Sequence, residues 1–254
     1  MAAPIILVHG AFCGGWAFDR FREPLEAAGH SCMAIDLPGH QDRGDRVAVT
    51  GLSMGRYAAE VGVLIGRCEE PPIVIGHSLG GLIAAMAAGR AQTAGVIMLA
   101  PSAPWGVAGA TMEETVSAVG LYSLGAYWAQ AVDPDYSLAR EFSLDRLPKL
   151  EREAAFAHMV PESGRALWET LNWWLDPFMT TRIASGPIRA PVLTVAGGLD
   201  RIHPPSTVQR TAMLLGADFE VFPQMSHWLI GEPGWEAVAR TCLKWLGREK
   251  RVAA

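Results

Sequence analysis

The chain lacks the patterns that mark several large classes of protein. Its 254 residues include only four cysteines, scattered without a C-x-x-C pair, which favours free thiols over a disulfide framework or a zinc site. No apolar run is long enough to cross a bilayer and no basic signal segment opens the chain, so we expect a cytoplasmic protein without a membrane span. The net charge of −5 lacks the basic footprint of a nucleic-acid binder, so no nucleic-acid partner is expected.

What the chain does have is a regular alternation of short β-branched runs with longer helical stretches. Hydrophobic residues make up 50% of it and charged residues 19%, which is typical of a globular fold with a sizeable core. Strands are predicted at residues 5–8, 31–35, 73–76, 95–100, 192–196 and 219–222. Because helical stretches separate these continuous apolar runs, the pattern predicts an α/β fold: a doubly wound, mostly parallel sheet of about six strands flanked by helices.

Residues 107–186 differ in kind from the rest of the chain. They offer no strand candidate, and they carry 11 acidic against 6 basic residues. A helical, aromatic segment between two strands of a parallel sheet predicts a lid insertion rather than an independent domain. We therefore expect a core domain formed by residues 1–106 and 187–254, with a helical lid over 107–186. The negative charge of this lid disfavours anionic substrates.

The most informative stretch is G-x-S-x-G, from Gly76 to Gly80, directly after one predicted strand and directly before a helix. This context predicts a nucleophile elbow, a turn so tight that Ser78 takes a strained backbone and exposes its hydroxyl above the sheet edge. Only small residues at positions 76 and 80 avoid a clash. A structural turn is the alternative, because glycine and serine are common in loops.

A serine hydroxyl is a poor nucleophile until a base removes its proton, so an acid and a histidine are expected further along the chain. Asp200 and His227 each follow a predicted strand, at the sheet edge where Ser78 also lies. Taken alone, Asp200 fits a helix cap and His227 fits an ordinary loop histidine. Their order and placement together predict a catalytic triad. The remaining histidines show no metal-ligand spacing, so no metal is expected.

An oxyanion hole needs two backbone N–H groups that point at one position. The backbone N–H of Leu79, the residue after the proposed nucleophile, is the first expected donor. The second is the N–H of Ala11, in the turn after the first strand, with Phe12 as second choice. We expect His9 to bond loop backbone and His77 to be packed in the core. The candidates for the substrate pocket are aromatic residues near the site and in the lid: Phe12, Trp105, Trp128, Trp173, Trp174 and Trp228.

Trp173 and Trp174 have an added reason to be chosen. On one helix, adjacent side chains diverge by about 100° and cannot share a single buried stripe. At least one of the two is therefore expected to face the pocket or another part of the lid.

Over essentially its whole length, the sequence resembles the α/β-hydrolase superfamily. The matching pieces are Val8-His9-Gly10, Asp36-Leu37-Pro38-Gly39-His40, Gly76-His77-Ser78-Leu79-Gly80-Gly81, Gly198-Leu199-Asp200 and Ser226-His227-Trp228. The stretch from His9 to Trp16 is most similar to the branch of plant methyl-ester esterases and hydroxynitrile lyases. The resemblance implies Ser78, Asp200 and His227 as the triad and Ala11 and Leu79 as oxyanion donors.

Two departures from the family pattern have consequences. Many relatives begin with an antiparallel hairpin, whereas this chain starts almost directly at Ile5, so we expect a shorter sheet. Related hydroxynitrile lyases carry a lysine directly after the catalytic histidine, and Trp228 stands at that position here, which weakens the lyase interpretation.

The sequence thus predicts a serine hydrolase that cleaves a neutral, largely apolar carboxylic ester or lactone through an acyl-enzyme, with a small-molecule substrate and no cofactor. A cofactor-free C–C hydrolase or lyase with the same triad is one alternative. A ligand-binding protein that kept the fold without catalysis is another. The oligomeric state is not predicted.

Overall fold

A computed structural model describes residues 2–41, 44–109, 125–183 and 188–252. The strands in chain order are β1 (Ile5–Val8), β2 (Cys32–Ile35), β3 (Ile73–His77), β4 (Gly95–Leu99), β5 (Ala131–Val132), β6 (Glu162–Ser163), β7 (Val192–Gly197) and β8 (Asp218–Phe222). Six of them form one parallel sheet in the order β2-β1-β3-β4-β7-β8. The expected α/β architecture and strand number are confirmed.

The register of the sheet aligns the carboxyl ends of its strands. Ile5 of β1 pairs with Cys32 on one side and with Ile73 on the other, and all these pairings are parallel. β1, β3, β4 and β7 are fully buried, which explains why their sequences are continuous apolar runs rather than alternating ones. The loops that leave these strands therefore converge at one edge of the sheet.

Helices cover both faces of the sheet. They are α1 (Asp19–Ala27), α2 (Arg46–Val49), α3 (Met54–Arg67), α4 (Leu79–Ala88), α5 (Tyr136–Leu138), α6 (Lys149–Ala157), α7 (Gly164–Leu171), α8 (Pro205–Leu215) and α9 (Trp235–Val252). Phe21 of α1 and Trp245 of α9 share one core cluster, whereas Tyr57 of α3 and Leu82 of α4 belong to the other. Within the described residues, none of these helices is long and apolar enough to span a membrane.

The segment between β4 and β7 departs from the expected all-helical lid. Of the predicted range 107–186, residues 110–124 and 184–186 lie outside the described part; we call residues 125–183 the insert. It contains α5, α6 and α7, but also the antiparallel pair β5–β6, in which Ala131 faces Ser163. The expectation that this region holds no strand was wrong. Two-residue strands are too short to give an alternating pattern in the sequence.

A buried polar cluster joins the insert to the rest of the fold. The Glu162 carboxylate on β6 bonds the His40 Nε2 at 3.1 Å, and it accepts the Tyr57 hydroxyl at 2.7 Å and the Ser163 N–H at 2.7 Å. Both side chains of the His40–Glu162 pair have no exposed surface. Burial alone lowers the pKa of His40, but the adjacent carboxylate outweighs it and raises that pKa. The carboxylate thus favours the charged form of the His40 ring.

Glu162→Gln is expected to destabilise the protein by about 3 kcal/mol, because it removes the carboxylate that favours the charged form of the buried His40 ring and holds its hydrogen bond. The control is Glu151→Gln, which removes a half-exposed partner of Arg20 and is expected to cost less than about 1 kcal/mol. Urea denaturation followed by circular dichroism measures both free energies of unfolding. Equal losses in the two variants would contradict the role given to the cluster.

Candidate active site

The turn between β3 and α4 holds Ser78 in a strained conformation. Its backbone has φ 54° and ψ −122°, a region that residues with a side chain rarely adopt. A Cβ on Gly76 would lie 2.1 Å from the Gly80 carbonyl oxygen, and a Cβ on Gly80 would lie 2.2 Å from that of Val8. The predicted need for glycine at both positions is confirmed, because the backbones touch there.

The loops after β7 and β8 bring two further side chains to Ser78. The Ser78 Oγ lies 3.0 Å from His227 Nε2, and His227 Nδ1 lies 2.9 Å from Asp200 Oδ2. The second Asp200 oxygen accepts the backbone N–H groups of Ile202 and His203 at 2.8 and 2.9 Å. With Nδ1 donating to the carboxylate, Nε2 is left as the acceptor for the serine hydroxyl.

The ionised form of Asp200 is favoured although the carboxyl is buried. Burial by itself raises the pKa of this carboxyl, but the His227 ring and the hydrogen bonds to the carboxylate outweigh burial and lower it. Asp200 is 3% exposed and His227 is likewise buried. A buried carboxylate next to the ring stabilises a positive charge on His227 should a proton arrive there.

Two more histidines hold the surrounding loops. His9 Nε2 accepts the Leu37 N–H at 3.0 Å and its Nδ1 contacts the Gly10 carbonyl at 2.8 Å, which confirms its expected role in bonding loop backbone. His77 is buried as expected, but its Nε2 also donates to the His227 carbonyl at 2.8 Å. Burial lowers the pKa of His77 to about 3, so the ring is neutral. Sequence reasoning missed this link to the His227 loop.

Ala11 and Leu79 both line the cavity beside Ser78. In the described structure, neither backbone N–H donates a hydrogen bond. Gly10 allows the Ala11 loop to approach, since a Cβ on Gly10 would lie 3.0 Å from the Ser78 Cβ. Both N–H groups are thus available to a bound oxygen atom.

A cavity of about 580 Å³ opens over Ser78. Its lining includes Phe12, His203 and Trp228 from the core and Phe142 and Leu167 from the insert. Two of the six aromatic pocket candidates, Phe12 and Trp228, therefore line it. No group of three His, Cys, Asp or Glu side chains that could hold a metal ion occurs among the described residues.

The other four aromatic candidates lie away from this cavity, so their assignment to the pocket wall is corrected: Trp105, Trp128, Trp173 and Trp174. Trp173 and Trp174 lie on a single 3₁₀ turn rather than on a regular helix. The Trp173 ring packs against Trp105 at 5.6 Å and against Trp174 at 6.0 Å, and Trp174 is 60% exposed. Trp105, Trp173 and Trp174 pack edge-to-face on one another instead of lining the cavity.

The cavity also contains a hydroxyl and an imidazole that sequence reasoning did not select. Ser102 Oγ lies 3.0 Å from His203 Nε2, and both residues line the cavity. The His203 ring is 5.3 Å from the His227 ring. Burial lowers the pKa of His203 to about 4. The one available indication was the position of His203, three residues after Asp200.

Known proteins resemble this chain in both sequence and structure. A pyrethroid hydrolase of Sphingobium wenxiniae is 40% identical over 77 residues, 30% of this chain and 27% of that protein. Methylesterase 3 of Arabidopsis thaliana is 33% identical over 95 residues, 33% of this chain and 32% of its own. The matched region thus spans about a third or less of these two relatives. A crystal structure of an Arabidopsis methylesterase superposes with a TM-score of 0.73 at 16% identity, covering 97% of this chain and 99% of that one.

A family model extends the match to nearly the whole chain. The model of the alpha/beta hydrolase family matches residues 5–241, from the first residue of β1 into the last helix. That range includes the strained turn at Ser78 and the loops that carry Asp200 and His227. The chain therefore belongs to the α/β-hydrolase family.

Proposed function

We propose that the protein hydrolyses carboxylic esters through an acyl-enzyme formed on Ser78. The observation that carries this proposal is the unbroken line of hydrogen bonds from Ser78 Oγ through His227 to Asp200, at a strained turn that opens into a cavity. A methylesterase and a pyrethroid hydrolase among the relatives support ester hydrolysis.

The reaction proceeds in two half-reactions. His227 Nε2 takes the hydroxyl proton while Ser78 Oγ bonds the ester carbonyl carbon, and the carbonyl π electrons move to oxygen. The tetrahedral intermediate collapses, the C–O bond to the alcohol breaks, and His227 returns the proton to the leaving oxygen. Water then attacks the acyl carbon with His227 again as base, which releases the acid and restores Ser78. Asp200 orients the ring and stabilises its charged form.

The Ala11 and Leu79 N–H groups are the proposed oxyanion donors. Because both are without an acceptor in the described structure, they need no rearrangement to meet the developing negative charge. Leu79 is the first residue of α4, so the field of the helix N-terminus favours the same charge.

The cavity favours a neutral, largely apolar substrate. Arg46 is the one Lys or Arg among its described lining residues, and it is already paired with Asp133 at the wall. Asp135 adds a further negative charge. A carboxylate on the substrate would thus find no unpaired cation. We propose the insert as a lid, because it supplies this wall while all three triad residues come from the core.

The alternative interpretations differ in measurable ways. A C–C hydrolase would use the same three residues on a vinylogous diketone, so turnover of a diketone in preference to esters would favour it. The lyase interpretation is weakened by Trp228, which stands where lyases carry a lysine. A binding protein without catalysis would not need the strained serine, whose backbone conformation costs about 1–3 kcal/mol.

A sulfonyl fluoride is expected to add a single adduct at Ser78, because this is the one hydroxyl in the described part of the chain that adjoins both the His227 base and the two proposed oxyanion donors. Ser78→Ala should abolish labelling and lower kcat at least about a thousandfold. Ser102→Ala is the matched control, since it removes the other hydroxyl with a histidine partner in the cavity, and labelling should persist. Peptide mapping by mass spectrometry identifies the adduct. An adduct on Ser102 would overturn the mechanism.

Neutral esters are expected to react with a kcat/KM at least about tenfold above that of matched carboxylate-bearing esters, because the cavity wall is acidic. Asp135→Asn should narrow this gap while retaining the hydrogen bond that the side chain accepts from the Leu138 N–H, since asparagine is an equally good helix cap. Steady-state kinetics on both ester series provides the comparison. Faster hydrolysis of the charged series would refute the assignment of a neutral substrate.

A further inference from the structure

A buried carboxyl, Glu232, closes the loop that carries His227 and has no role in the mechanism above. The residue follows His227 by five positions and is 1% exposed. Its Oε1 accepts the Ser226 N–H at 2.5 Å, whereas its Oε2 has no hydrogen-bond partner in the described part of the chain. Because burying a carboxyl with an unpaired oxygen costs free energy, packing alone does not account for this side chain.

Ser226, the residue that Glu232 holds, ties together the two loops of the proposed acid and base. Its hydroxyl donates to the Leu199 carbonyl at 3.4 Å, and Leu199 directly precedes Asp200. A Cβ on Gly197 would lie 1.9 Å from the Ser226 carbonyl oxygen, so the Ser226 backbone packs directly against the end of β7. A displacement of Ser226 would therefore change the distance between the proposed acid and base.

The backbone around His227 is held on both sides. Before it, Glu232 accepts the Ser226 N–H, and after it, the His227 carbonyl accepts a hydrogen bond from His77 Nε2 at 2.8 Å. Glu232 is not among the described residues that line the cavity. Its influence on the reaction must therefore pass through the His227 loop and not through a contact with the substrate.

We propose that Glu232 is a positioning residue: its carboxylate anchors the Ser226 N–H and thereby holds the His227 ring within hydrogen-bond reach of the proposed nucleophile. The inference rests on the proposed roles of Ser78 and His227 and adds a supporting side chain to them. A hydrogen bond to an ionised acceptor is roughly twice as strong as one to a neutral acceptor. The ionised form of Glu232 therefore anchors the loop more firmly than the protonated form.

Glu232 changes its charge near neutral pH. Burial raises the pKa of this carboxyl to about 7, and the nearby Asp145 adds to the rise, whereas the Ser226 N–H, His227 and Arg146 oppose it. The folded pKa thus lies above the ordinary value of 4.5, so the stability that this group contributes is full below that pH and is lost as pH rises through about 7. Ionisation weakens the fold, which is typical of a group that serves function.

Glu232→Gln keeps the shape and one acceptor oxygen but fixes the group in a neutral state, so it imitates the protonated carboxyl. At about pH 8.5, the rate constant for labelling of Ser78 by a sulfonyl fluoride is expected to be about tenfold lower in this variant. At about pH 5.5, where the carboxyl of the unaltered protein is protonated, the two rate constants should agree within about twofold. Agreement at the lower pH also shows that the variant is folded.

Steady-state kinetics on a neutral ester gives a second measure of the same effect. At about pH 8.5, kcat of Glu232→Gln should fall by the same factor of about ten while KM stays within about twofold, because the side chain lies outside the described cavity lining. A fall in kcat/KM that comes from KM alone would contradict a positioning role.

Glu236→Gln is the matched control, because it removes the same charge four residues further along, on the exposed surface of α9. Its labelling rate constant should stay within about twofold of that of the unaltered protein at both pH values. An equal loss at both pH values in Glu232→Gln would mean that the residue is merely structural and would overturn the inference. The same pH-dependent loss in Glu236→Gln would overturn it as well.

Labelling measures the reactivity of Ser78 without ester turnover, which separates this inference from the proposed function. If the labelling ratio depends on pH as expected but no ester is hydrolysed, the role of Glu232 is supported and only ester hydrolysis is contradicted. If esters are hydrolysed through Ser78 and the ratio is independent of pH, the proposed function is supported and the role of Glu232 is overturned.

Discussion

The contact between the backbones of Gly76, Gly80 and Val8 is the constraint on which the site depends. With no Cβ between them, β1, β3 and α4 approach closely enough that Ser78 is forced into positive φ and its side chain stands at the carboxyl edge of the sheet. The same approach brings the loop after β1 against Ser78. The two proposed oxyanion donors, Ala11 in that loop and Leu79 at the start of α4, therefore lie on opposite sides of one backbone contact. Packing of glycine backbones thus fixes the geometry that the chemistry needs.

Electrostatics distinguishes the buried histidines from one another. His9, His77 and His203 have pKa values lowered to about 4, 3 and 4, chiefly by burial, and are neutral. His40 has the Glu162 carboxylate as partner, which raises its pKa. Several imidazoles can therefore surround the proposed reaction centre without repelling a proton on His227, while His40, with its raised pKa, helps to join the insert to the core.

The sequence predicted most of what depends on local pattern. Apolar runs located the strands, and strand ends located Ser78, Asp200 and His227, because parallel strands present their carboxyl ends at one edge. Four of the five candidate tryptophans were misplaced, because aromatic character says that a side chain will be buried but not against which neighbour. The Ser102–His203 pair was missed because its partners are 101 residues apart, and the His40–Glu162 pair because 122 residues separate them. No periodicity records such distant contacts.

The buried polar cluster of Glu162, His40 and Tyr57, which joins the insert to the core, has a consequence for protein engineering. All three proposed triad residues lie on the core, whereas Phe142, Leu167 and much of the far wall of the cavity lie on the insert. Exchanging the insert for that of a relative would change the cavity lining and keep the proposed triad intact only if the new insert also carries a carboxylate that pairs with His40. A chimera designed on sequence boundaries alone would leave the buried His40 and Tyr57 side chains without the Glu162 acceptor, so the grafted insert would pack less stably on the core.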